Sequence, residues 1–198
     1  MESRTVNSEQ AAGYVLLVTA VLATLLMVNH PTAIDGAGPA GFVHGGLQLM
    51  LVCQCAAMAV VVRRLGFALL PVTALGFYFA GQGAGLMAAT INGFAVPALL
   101  GYPQGTIGHD VPLLAWELNQ ALARLGVIAT GIGYGLLGFS LWRNGERVVG
   151  TAGVLAGLLP ATLLVVGILN MKLPGAIFAY TAQLAWLALL GWNLSRRT

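Results

Sequence analysis

The three histidines of this 198-residue chain, His30, His44 and His109, are its residues best suited to chemistry. Imidazole is the commonest protein ligand for transition metals and a common axial ligand of haem, and carboxylates can complete such a shell. Asp35, Asp110 and Glu117 are the carboxylates on hand. No HxxxH or HExxH spacing sets two ligands on one helical face, so any metal site must be assembled from separate segments. His30, His44 and His109 are therefore the candidate metal ligands, and a metal ion or a haem is the cofactor they would serve. The plainer alternative is that histidine sits at wet helix ends, where it caps or hydrogen-bonds.

A second set of polar residues could hold a small ligand. At 100° per residue, His44, Gln48 and Cys55 fall within about 40° of one another on a helix. Cys53 and Cys55 resemble a CxC metal pair, but on a helix they diverge by about 200° and can neither chelate one ion nor pair as a disulfide. Glu117, Gln120 and Arg124 follow an i, i+3, i+7 pattern, which makes a polar stripe. Adding Asn92 and His109, the candidate pocket is His44, Gln48, Asn92, His109, Glu117, Gln120 and Arg124. Gln82, deep in an apolar run, reads as an interhelical hydrogen bond.

What must position these residues is a membrane bundle. The chain is 58% hydrophobic and only 8% charged, with mean hydropathy +0.86. A soluble domain needs roughly 25% charged residues to coat its surface. Runs of about 20 apolar residues predict six spans at 11–28, 41–62, 67–92, 113–142, 148–170 and 174–192. The fold class is all-α, a polytopic membrane helix bundle in a single domain, because an open sheet edge cannot be satisfied in hydrocarbon. The acidic Glu2 and Glu9 argue that the first run is a retained helix and not a cleaved signal. The third apolar run reaches Leu100, and Asn92, Gly93 and Pro97 are expected to end its helix. Pro71 and Pro160 should bend theirs.

Arg63, Arg64, Arg143, Arg147, Arg196 and Arg197 all fall at one side of such a bundle, with Arg4, against Lys172 on the other. The positive-inside rule then puts both termini in the cytoplasm of a bacterial inner membrane. The histidines face the opposite side. Placed at the start of a span near Pro112, Arg124 would lie about 18 Å deep, at a cost of at least about 2.5–3.5 kcal/mol. Ala123 to Trp142 alone suffices to cross, so the preferred reading leaves Arg124 at the outer interface.

The basic residues form no stripe, so no nucleic-acid partner is implied; the lipid bilayer is the partner. Gly81/Gly85, Gly131/Gly135 and Gly153/Gly157 are small-xxx-small pairs that either pack helices within the chain or make a homo-oligomer or membrane-complex seam. The expected function is a polar pocket on the non-cytoplasmic side that binds a metal, a haem or a small polar ligand. A small-solute transporter or channel and a structural or assembly subunit are the rival readings. No residue pair identifies an enzyme.

Overall fold

The computed structural model describes residues 7–30, 37–103, 105–108 and 110–197. Among these residues the chain is helical, with no strand, and six helices are long and apolar enough to cross a membrane. They are α1 (Ser8–Val28), α2 (Ala37–Arg64), α3 (Leu69–Thr90), which continues through a π-helical turn (Ile91–Ala95) into α4 (Val96–Leu100), α5 (Asp110–Arg143), α6 (Arg147–Val165) and α7 (Leu173–Ser195). The protein is an integral membrane helix bundle.

Each spanning helix packs on its neighbour in sequence, and α7 returns to pack on α1, so the six close into a ring. In lipid there is little hydrophobic drive between helices, and close backbone approach must supply the attraction. Glycine provides it at each tight seam. A Cβ on Gly13 would meet the Gly191 carbonyl across the α1–α7 seam at 2.8 Å, and one on Gly126 would meet the Gly81 carbonyl across α3–α5 at 3.2 Å. One on Gly138 would meet the Gly150 carbonyl across α5–α6 at 2.6 Å. Gly131 and Gly157 face each other across the same seam, and Gly153 lies under the indole of Trp186 from α7. All three small-xxx-small pairs thus meet helices of their own chain.

Two predicted boundaries move. The third span does not end at Asn92. Pro97 has no N–H to give the carbonyl one turn earlier, and its ring crowds that carbonyl; the π turn widens the helix there and the chain continues to Leu100. The fifth span stops at Val165, short of 170, and Gly167 (φ 77°) turns the chain toward α7. Pro71 occupies the first turn of α3, where a missing donor costs nothing, while α6 runs on through Pro160.

The two ends of the bundle differ. At the arginine end, Leu16, Met58, Val62, Leu137, Leu141 and Leu190 make a packed core with little or no exposure. Above it, Tyr78, Tyr134 and Trp186 stack in series, with ring centroids 5.7 Å and 4.4 Å apart, and the Trp186 Nε1 donates to the Val149 carbonyl at 2.9 Å. The opposite half encloses a cavity.

Candidate functional site

The cavity has a volume of about 350 Å³. Its wall comes from α1, α2, α3 with its π turn, α5 and α7, together with Met171 before α7. On α5 the inward face is Asn119, Ala123, Gly126 and Thr130, an i, i+4, i+7, i+11 series that lines one side of a helix. The small residues leave the space, and the polar ones are neutral. Gln54, Gln82, Asn119 and Gln183 are each buried on the wall. No Asp, Glu, Lys or Arg among the described residues lines it.

Depth follows from helix rise. At 1.5 Å per residue, His44 stands about 30 Å from Arg64 along α2, and Gln54 about 15 Å. By the same measure His30, just past the end of α1, and Arg124 on α5 also stand about 30 Å from the arginine end. For a hydrocarbon layer of about 30 Å, the histidines mark the boundary away from the arginines, Gln54, Gln82 and Gln183 lie near the middle, and Asn119 lies beyond that boundary with the first turns of α5. The helix α5 runs 34 residues, which overshoots that layer, so its first turns project beyond it and Arg124 falls at the boundary.

The cavity's rim at the end away from the arginines is built around His44. It lies about two turns into α2 and is 4% exposed. Its Nδ1 lies 2.7 Å from the Ala40 carbonyl. A carbonyl only accepts, so Nδ1 carries the hydrogen and, in the neutral ring, Nε2 keeps its lone pair. Two nitrogens approach that lone pair, His30 Nε2 at 3.1 Å and Asn92 Nδ2 at 3.1 Å. Asn92 owes its position to the π turn, and the π turn to Pro97. Gly93 permits the close approach, because a Cβ there would collide with the Cβ of His44. Asn92 Oδ1 is buried without a hydrogen-bond partner.

Of the sequence candidates, His30, His44, Asn92 and Gln120 line the cavity. Gln48 lies outside the lining and ties α2 to α3: its Nε2 donates to the Thr90 hydroxyl at 2.6 Å and the Leu86 carbonyl at 3.2 Å. Glu117 and Arg124 are exposed and do not line it. The inward face of α5 is centred on Asn119 and Ala123, so the stripe of Glu117, Gln120 and Arg124 touches it only at Gln120. His109, like Asp35, lies outside the described residues. His30 and His44 come together as candidate ligands. Their nitrogens, 3.1 Å apart, are too close to hold one haem between them, since trans ligands at about 2 Å each need about 4 Å.

Sequence reasoning missed Asn119 and Gln183 as lining residues and, at the opposite end, Glu146. Glu146 follows the α5–α6 turn, where Gly145 adopts φ 88°, a left-handed conformation that glycine takes without strain. Its carboxylate accepts from Arg64, from Arg197 at 2.5 Å and from Asn193 at 2.8 Å. Arg64 also reaches Glu9 at 3.4 Å. The ends of α1, α2 and α7 are thereby gathered on one turn, which closes the arginine end.

Comparison with family models, curated proteins and solved structures finds no significant match to this chain.

Proposed function

We propose that this protein binds a small, neutral, largely apolar molecule bearing hydrogen-bonding oxygens in the outer half of a bacterial cytoplasmic membrane. The observation that carries this reading is the cavity itself: about 350 Å³, with a largely apolar wall, studded with neutral amides and, among the described residues, lined by no Asp, Glu, Lys or Arg. That volume lies at the small end of the ~300–1,000 Å³ typical of ligand pockets, which likewise combine an apolar wall with a few polar groups. A charged ligand would leave water to face a wall with no counter-charge, at a cost of several kcal/mol, roughly the penalty per buried ion. The amides suit carbonyl or hydroxyl oxygens, for which they offer donors and acceptors. With the arginine end in the cytoplasm, both termini are inside and the cavity opens outward. Solute passage would require the packed half to part, where helix backbones touch at glycines, so the cavity serves as a binding site and not as a pore.

The test uses duroquinone, a neutral ring with two carbonyl oxygens, and the full chain in mild detergent. Thermal unfolding is followed with and without the probe. The wild type is expected to gain stability saturably, by about 2.7 kcal/mol at a hundred times Kd. Ala123→Phe, which puts a ring into the cavity, is expected to lose that gain. No saturable shift, or an equal shift in both proteins, would overturn the reading.

A further inference from the structure

The His44 Nε2 is claimed twice. One in-plane lone pair serves one donor well, yet His30 Nε2 and Asn92 Nδ2 both stand 3.1 Å from it. We propose that the Nε2 atoms of His30 and His44 together bind a divalent transition-metal cation of the zinc or copper class at the rim of the cavity. The ring geometry favours this over a simple hydrogen bond. For a head-on N–H···N bond of this length the two ring centroids would stand about 5.4 Å apart, since the preferred geometry is near-linear. For two rings aimed at one cation, with metal–nitrogen bonds of about 2.05 Å meeting at about 100°, the centroids would stand about 4.9 Å apart. The observed separation is 4.8 Å, with the rings edge-on at 76°.

The surroundings match what a metal-bound histidine needs. The His44 Nδ1–H is held by the Ala40 carbonyl at 2.7 Å, the outer contact that fixes the tautomer and aims the lone pair of a ligating imidazole. Turning the Asn92 amide over brings its oxygen, buried without a partner, toward the cation, where an amide oxygen is a weak third donor. No group of three His, Cys, Asp or Glu among the described residues converges on any one point. Among the described residues the site offers two imidazoles and an amide, and imidazole ligation selects zinc, copper or nickel over magnesium or calcium. The inference does not depend on what fills the cavity below.

The experiment uses the full chain without a polyhistidine tag, stripped with chelator and titrated with Cu²⁺ alone. Electron paramagnetic resonance reads the nitrogens bound to copper. Zn²⁺ affinity is read by competition with a chromophoric chelator. Expected are one Cu²⁺ per chain with hyperfine structure from two imidazole nitrogens, and at least a tenfold loss of Zn²⁺ affinity in H30Q and in H44Q. Copper that binds equally well to the wild type and to a folded H30Q protein, or a spectrum without two imidazole nitrogens, overturns the proposal. Should H44Q fail to fold, H30Q and the wild-type spectrum decide the matter between them. A metal-free result with duroquinone still bound would remove the metal site and leave the proposed function standing.

Discussion

Gln54 and Gln183 offer the same substitution with opposite expected signs. Both are buried glutamines on the cavity wall, 1% and 5% exposed. Gln183 Nε2 donates to the Val127 carbonyl at 3.1 Å, bridging α7 and α5. Gln54 Nε2 is buried with no hydrogen-bond partner. An unmade buried donor costs about 1–3 kcal/mol, whereas an interhelical hydrogen bond in a membrane is worth about 0.6 and at most about 1.7 kcal/mol. Leucine is close to glutamine in length and in helix propensity, so each change removes the amide and little else. Gln54→Leu is expected to stabilise the protein by about 1 kcal/mol or more, the relief of the unmade donor. Gln183→Leu is expected to destabilise it by about 0.6–1.7 kcal/mol. Equilibrium unfolding in mixed micelles, followed by the fluorescence of the buried Trp186, measures both against wild type. If Gln54→Leu lost as much stability as Gln183→Leu, hydrogen bonding would not be what separates the two sites, and the reasoning would fail.

The remaining expectations concern how the ring is held. Glu146→Gln leaves Arg64 and Arg197 without their shared carboxylate; breaking a buried pair costs about 3–5 kcal/mol. The 35% exposure of the Arg197 side chain points to the lower end, and a loss below about 1 kcal/mol in unfolding would mark the cluster as an ordinary surface pair. Gly157→Ala sets a Cβ 2.8 Å from that of Tyr134 and against the Gly131 carbonyl, which should cost about 1–3 kcal/mol in overpacking. Gly83→Ala meets nothing within 4 Å and should gain up to about 1 kcal/mol from helix propensity. Equal thermal shifts for the two would show that the α5–α6 seam is not in backbone contact.

The spans were legible because length and apolar content are local properties, and four of the six lie within about four residues of where they were expected. The third span was read short because Asn92, Gly93 and Pro97 are helix breakers in water. Inside a bundle the same residues make a π turn, since the neighbouring α2 rewards the close approach that Gly93 allows. The closed ring was not legible. Glycine pairs reveal that helices meet but not which helix each one meets. His30 and His44 were singled out by residue type alone, and only the packing of α1 on α2 brings their nitrogens together. The inward face of α5 was misjudged by about a third of a turn because Glu117 and Arg124, being charged, outweighed Asn119 and the small residues that mark a cavity wall. Glu146 carried no signal in the sequence, because only the folded bundle brings the ends of α2 and α7 onto it.

The central claim is that the outer half of the bundle holds a small neutral molecule. Native mass spectrometry of the full chain, released from mild detergent soon after extraction from its own membranes, tests it most directly. The expected spectrum shows the wild-type chain with one small non-covalent adduct that is missing from the folded Ala123→Phe protein. A wild-type chain that flies alone, or the same adducts on both proteins, would contradict the claim.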